Sequence, residues 1–206
     1  MKNNLSQKIT KALWGAVLGA SFLCPSAHAG WVTWDVSAGG NGHSYLAVPG
    51  FNGLTWNTAN ALAQAQGGYL ATITSAAENN FVFNLINSPQ FFTGYNGAGP
   101  ALGGYQYDEA AEPAGHWAWV TGEAWSYTNW LPGAPNDIPA GQDNLHFHSG
   151  IPNTPGGTWD DINGDDGNIG GYVIEVVPEP SSLAILGCGA LFLARRWTSK
   201  RKANIR

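Results

Sequence analysis

The chain has 206 residues, of which 28 are glycine and only 11% are charged. All nine Lys and Arg lie in residues 1–11 or 195–206, whereas all 14 Asp and Glu lie between Asp35 and Glu179. A stretch so acidic and without a basic side chain excludes unaided nucleic-acid binding, disfavours anionic lipid, and has divalent cations as its natural complement. In chain order, Lys2, Lys8 and Lys11 precede an apolar run from Ala12 to Cys24 and then Ala27-His28-Ala29. That pattern predicts a signal peptide over residues 1–29, with cleavage at the Ala27-x-Ala29 site and a mature chain beginning at Gly30. Residues 30–177 read as one domain. Trp56, Ala59, Leu62 and Ala63 sit at helical spacing before Gly67-Gly68, and Ser75-Ala76-Ala77-Glu78 is a capping box ahead of the stripe Phe81, Val82, Leu85 and Ile86. Pro89 ends that second helix.

Short strands are predicted over Ser44–Val48, Phe91–Thr93, His116–Val120, Asn144–His148 and Tyr172–Val176. The segment Asn96–Gly104, with four Gly and one Pro, is expected to be a flexible surface loop. Helices early and strands late predict an α+β domain. Both cysteines, Cys24 and Cys188, fall in the terminal segments, so the domain is expected to hold together without disulfides. After Val177 come Pro178-Glu179-Pro180, an apolar run from Leu183 to Ala194, and Arg195-Arg196 with a basic tail. The run is too short for a stable span, and membrane contact through it is expected to be transient.

The order of Pro-Glu-Pro motif, greasy segment and Arg pair in residues 178–206 resembles the PEP-CTERM sorting signal of Gram-negative bacteria. The resemblance implies processing by an exosortase near Pro178, Glu179 and Pro180, with Arg195 and Arg196 as the stop. It further implies delivery to the cell surface or matrix, in company with exopolysaccharide.

Gly67-Gly68-Tyr69-Leu70-Ala71-Thr72-Ile73 with Glu78-Asn79-Asn80-Phe81 is similar to the helical half of a C-type lectin-like domain. Trp117-Ala118-Trp119-Val120-Thr121-Gly122-Glu123 is similar to its central Trp-rich strand. Asp143-Asn144-Leu145, Gly157-Thr158-Trp159-Asp160-Asp161 and Gly171-Tyr172-Val173-Ile174-Glu175 follow in the family's order. The resemblance implies the C-type lectin-like fold: two early helices, short antiparallel sheets and a long loop, here lacking disulfides. In calcium-dependent members the loop carries Glu-Pro-Asn or Gln-Pro-Asp, then an acidic residue, then Trp-Asn-Asp. Here Ala134-Pro135-Asn136, Gln142 and Trp159-Asp160-Asp161 stand at those positions. The resemblance therefore implies Asn136, Gln142, Asp160 and Asp161 as carbohydrate and calcium ligands, a cis bond before Pro135, and Asp137 and Asp143 at an auxiliary calcium site. Ala134 offers no side-chain oxygen and Gln142 only a neutral one, so a weaker calcium site than the family norm is expected.

Other residues carry chemistry of their own. Asp161-Ile162-Asn163-Gly164-Asp165-Asp166-Gly167 departs from an EF-hand, because Asp166 stands where glycine is required and Tyr172 where Glu is. Asn163, Asp165 or Asp166 can still lend oxygens to an irregular cation site, or form an exposed acidic turn. Asn144, His146 and His148 share a strand face, and a His-x-His pair can bind zinc or copper, although no third ligand is legible nearby. Of the aromatics, Trp117, Trp119 and Trp130 read as core, whereas Tyr105 and Tyr107, in a glycine-rich segment, are expected to be exposed, where aromatic faces can stack on sugar rings. No nucleophile elbow, phosphate loop or mature Lys or Cys is present, so an enzyme is not expected. The sequence thus predicts an exported carbohydrate-binding protein assisted by Ca²⁺. The alternative is a structural or protein-binding matrix module whose sugar site has decayed.

Overall fold

The computed structural model describes residues 30–178. Ala27, Ala29, Glu179, Pro180, Arg195 and Arg196, with the signal-cleavage and sorting expectations that rest on them, lie outside the described residues. The elements run β1 (Val32–Thr33), β2 (Ser44–Pro49), α1 (Trp56–Ala65), β3 (Tyr69–Leu70), α2 (Ala76–Ile86), β4 (Ala98–Gln106), β5 (Trp117–Trp119), β6 (Asn144–His148), β7 (Thr158–Ile162) and β8 (Gly171–Val176). The strands form one sheet in the order β1-β2-β8-β4-β6-β7, with β3 paired to β8 and β5 to β4. Every strand pairing is antiparallel except β4 with β8, and the β2–β8 pair joins the early and late parts of the described residues. Among the described residues, no helix is long and apolar enough to cross a membrane.

Both helices form where spacing and caps direct them. The Thr55 hydroxyl accepts from Thr58 N at 3.0 Å and opens α1, which buries Trp56, Ala59 and Ala63. The Ser75 hydroxyl accepts from Glu78 N at 3.1 Å and opens α2. Glu78 itself departs from the capping-box expectation. It is only 2% exposed, and its carboxylate turns inward instead of back to the cap. Its Oε2 accepts from Thr74 N at 2.7 Å and Thr74 Oγ1 at 2.8 Å, while Oε1 accepts from Tyr45 OH at 2.6 Å and Asn41 Nδ2 at 2.8 Å. Beside it, Glu175 of β8 accepts from Thr72 N at 2.8 Å and meets His43 Nδ1 at 2.5 Å. This network ties β2, β8 and α2 together in a domain that has no cysteine.

Two strand expectations are corrected. The Gly-rich segment 96–104 is not a surface loop, because residues 98–106 form β4, which is buried along most of its length and central in the sheet. Its glycines serve close approach: a Cβ on Gly103 would lie 2.4 Å from the Leu70 carbonyl, and one on Gly104 2.7 Å from the Leu145 side chain. Phe91–Thr93 is not a strand. Pro89–Phe91 is a 3₁₀ turn that seats Phe91 and Phe92 in the core.

The core has two apolar clusters. One packs α1 on β3 and β8 through Trp56, Ala59, Leu70 and Ile174. The other gathers α2 with Phe92, Phe147 and a group of tryptophans. Trp119 meets Trp125 at 4.5 Å between ring centroids and Trp159 edge-on at 5.9 Å, and Trp117 meets Trp130 at 5.0 Å. Trp159 Nε1 donates to Asn79 Oδ1 at 2.8 Å, which locks β7 to α2. Tyr107 is exposed, as expected, and stacks on His116 at 5.2 Å; Tyr105 is half-buried.

Candidate functional site

The long loop leaves Trp130, whose backbone bridges Trp159, and returns to the sheet at β6. The Ala134–Pro135 bond is cis. Asp161 of β7, 2% exposed, holds the loop beyond it: its carboxylate accepts from Asn136 N at 3.0 and 3.1 Å and from Asp137 N at 2.6 Å. Burial pushes the Asp161 carboxyl up to about 6, against the downward pull of those two amides. Asp137 Oδ1 in turn accepts from Gly141 N at 2.5 Å and Gln142 N at 3.0 Å, and Gln142 Oε1 accepts from Ile138 N at 2.8 Å. The loop is thereby folded by the oxygens of its own polar residues, without a disulfide.

Several oxygens at this end have no such partner. Asp143, the last residue before β6, lies beside Glu112, and Asp137 stands close enough for its charge to act on Glu112. Among the described residues, both Glu112 oxygens and Asp143 Oδ1 are buried without a hydrogen-bond partner. Desolvation, the contact with Asp143 and the charge of Asp137 together push the Glu112 carboxyl up to about 7, against the opposing pull of the neighbouring Gln106 side chain. Carboxylates brought together without donors are stabilised only by a shared proton or a cation. Glu112 was not legible as a site residue. The only hint was its acidic character in a Pro-flanked turn, because the loop that meets it comes later in the chain.

The predicted ligands divide as follows. Asn136 and Asp161 are brought together through the loop backbone. The Asp160 carboxylate borders that of Asp161 but also faces His148 of the neighbouring strand, Nδ1 to Oδ2 at 3.0 Å. The Gln142 oxygen is turned into the loop's own hydrogen bond. Asn163 and Asp165 are exposed, and they do not meet at one point. Asp165 accepts from Asn57 Nδ2 of α1 at 2.7 Å, while Asn163 Oδ1 caps its own turn by accepting from Asp165 N at 2.9 Å.

The His-x-His pair acquires a neighbour that its own segment did not show. Antiparallel pairing of β6 with β7 sets His146 opposite Asp160. The rings of His146 and His148 lie 5.3 Å apart, and one donor atom each from His146, His148 and Asp160 falls within a 4.8 Å span. The expected wet face is only partly wet. His146 is 2% exposed, and burial together with the nearby His148 pushes its imidazole down to about 4, so it is neutral at ordinary pH.

The Lectin C-type domain family matches residues 52–168, and the PEP-CTERM protein-sorting motif matches residues 176–202 and marks the chain for export and surface sorting. The chain is 30% identical over 117 residues to the human protein C-type lectin domain family 10 member A, an alignment covering 53% of this chain and 30% of that one. It is 31% identical over 150 residues to lectin BRA-3 of Megabalanus rosa, covering 71% of this chain and 75% of that one. The chain thus spans under a third of the first relative's length and three quarters of the second's. The cow C-type carbohydrate-recognition domain of CD23, solved in the presence of GlcNAc2Man3 oligosaccharide, shares the fold with a TM-score of 0.56 at 20% identity, covering 76% of this chain and 100% of that one. With helices, sheet order, long loop and family match in agreement, the chain belongs to the C-type lectin domain family and carries a PEP-CTERM sorting motif at its C-terminal side.

Proposed function

We propose that this protein is an exported, surface-sorted lectin that binds carbohydrate at its long-loop end, with Ca²⁺ as an auxiliary ligand and exopolysaccharide as its setting. It is a binding module, not an enzyme. Residues 1–29 serve as the signal peptide, 30–177 as the lectin domain, and 178–206 as the segment read by an exosortase. One observation carries the binding claim: the loop pinned on buried Asp161 ends at Asp143, which meets Glu112, and among the described residues the oxygens of Glu112 and Asp143 Oδ1 are buried without a hydrogen-bond partner. Hard oxygens in that state suit a hard cation. Glu112 and Asp143 would hold it, with the charge of Asp137 acting on Glu112, and Asn136, Asp160 and Asp161 are offered for the sugar-facing side. When bound, calcium supplies open coordination positions to vicinal hydroxyls. The chain's own part is to hold the loop and to offer amide and carboxylate groups to the same hydroxyls.

The test is binding of the processed protein to a glycan and exopolysaccharide panel in Ca²⁺ and in chelator, alongside Asn136→Ala and Glu112→Gln. Binding lost with chelator and weakened in both variants is the expected result. Binding indifferent to all three overturns the calcium-dependent site.

A second reading has its own observation. Ala134 brings no oxygen, and the Gln142 amide faces its own loop, so the site can serve as a scaffold for a matrix protein. That reading predicts no glycan binding under any condition, and retention of a protein partner by Asn136→Ala.

A further inference from the structure

We propose that His146, His148 and Asp160 form a site for a divalent transition metal of the zinc class, with one coordination position left open to solvent. The inference goes beyond the calcium-assisted reading and stands without it, since only Asp160 is common to the two.

The register of β6 against β7 supplies the third ligand. Asp160 is the direct cross-strand partner of His146, and His148, two residues further along the same face of β6, stands diagonal to it. Donor atoms of a tetrahedral zinc site with bonds near 2.0–2.1 Å lie about 3.3 Å apart. The His148 Nδ1 to Asp160 Oδ2 distance of 3.0 Å is already such an edge, and the whole triad spans no more than 4.8 Å. Small side-chain rotations close the rest.

The protonation pattern points the same way. His148 Nε2 lies 2.9 Å from the Asn96 carbonyl, which can only accept, so Nε2 carries the hydrogen. With its hydrogen on Nε2, a ring without a second proton turns the lone pair of Nδ1 toward the Asp160 carboxylate 3.0 Å away, so that two acceptors face each other. A proton on Nδ1 is one remedy, but the contact lacks the alignment that a donated hydrogen bond needs, and Nδ1 counts among the buried atoms without a partner. A metal ion is the other remedy. Its bond to one ring nitrogen while the other donates to a backbone carbonyl is the usual outer arrangement of a ligating histidine.

His146 adds an independent observation. Its ring is 2% exposed, and among the described residues Nδ1 has no hydrogen-bond partner. Asp160 Oδ1 is likewise buried and unpartnered. Three orphaned polar atoms in one small volume are costly to bury, and a single cation satisfies them together. Two imidazoles and a carboxylate select zinc-class ions over calcium and magnesium, which seek oxygen alone. The side chains of His148 and Asp160 keep 12% and 16% exposure, so solvent reaches the site from their side and provides the fourth ligand.

The experiment titrates Zn²⁺ into the metal-free processed protein against a chromophoric chelator, with Co²⁺ as a spectroscopic substitute. One equivalent should bind, and the Co²⁺ form should show the intense visible absorption of a four-coordinate site. His148→Ala and His146→Ala should each weaken Zn²⁺ binding by more than about a hundredfold, since losing even an outer partner costs about 10–100-fold. His148 is partly exposed, so His148→Ala tests the site even if the buried His146 variant fails to fold. Asn136→Ala and Glu112→Gln should leave Zn²⁺ binding unchanged, and excess Ca²⁺ should not displace it. That result sustains the zinc site whether or not glycan binding is found. The absence of stoichiometric binding, or binding that survives His148→Ala, overturns it.

Discussion

Two carboxylate clusters sit in one small domain and differ in how their oxygens are satisfied. Around Glu78 and Glu175, each carboxylate oxygen has a partner: a tyrosine hydroxyl, an asparagine amide, a threonine amide and hydroxyl, or the His43 ring. Around the long loop, Asp161 and Asp137 are satisfied by backbone amides, whereas Glu112, Asp143 and Asp160 leave oxygens without donors. Both clusters place acidic side chains close together. His43, Glu78 and Glu175 even bring donor atoms within 4.8 Å of one another, as metal ligands do. Satisfaction, not proximity, separates them. The first cluster is closed and holds the fold, and the second is open to a cation.

The largest expected effect comes from breaking the closed cluster. Glu78→Ala removes an acceptor from Tyr45 OH, Asn41 and both donors of Thr74, leaves the Thr74 amide and hydroxyl without it, and should cost about 3 kcal/mol, read as a fall in the denaturation midpoint. Cation binding at the loop end should not change.

Proton linkage sharpens the contrast next. Burial, opposed by Thr72 N and His43, pushes the Glu175 carboxyl from 4.5 up to about 7. The folded protein then keeps a proton that the unfolded chain gives up. Stability is therefore full below about pH 4.5, falls as pH rises to about 7, and is flat above, a change on the order of 3 kcal/mol. Glu175→Gln should flatten that slope whether or not Ca²⁺ is present. Glu112, also raised to about 7, contributes a slope of the same sign, but Ca²⁺ should remove it. Melting curves across pH, with and without Ca²⁺, separate the two. Equal sensitivity of both slopes to Ca²⁺ would mean that the two clusters are equally open to a cation.

A smaller effect is expected where a satisfied residue serves the open cluster. Asp161→Asn weakens the hold on Asn136 and Asp137 and should cost about 1–3 kcal/mol. It should be seen first as faster hydrogen exchange at those two amides. Smallest is a gain: Ala134→Glu restores a loop carboxylate and should tighten Ca²⁺ about tenfold, ~1.4 kcal/mol, measured by calorimetry. No tightening would favour the scaffold reading.

Local rules made the helices legible. Thr55 and Ser75 cap them, and Trp56, Ala59 and Ala63 keep helical spacing. Strands β2, β6 and β8 also follow alternation or apolar runs. Strand β4 was illegible because glycine and proline read locally as loop. Its glycines are there because Leu70 and Leu145 press against them, a fact of packing that no window of sequence contains. The same holds for the site. Asn136, Asp160 and Asp161 could be placed by pattern, but Glu112 meets Asp143 only through the fold, and Asp160 meets His146 only through strand register. Glu78 satisfied a capping rule on paper and was claimed instead by a buried network.

That network has a further consequence. A fold joined by Tyr45, Glu78, Glu175 and His43, with both cysteines of the chain outside residues 30–177, has no thiol chemistry on which its stability depends. Dithiothreitol or glutathione should leave its melting temperature where it was, and no oxidoreductase is needed to mature the domain after export. The binding end keeps its shape equally in aerated and in anoxic surroundings.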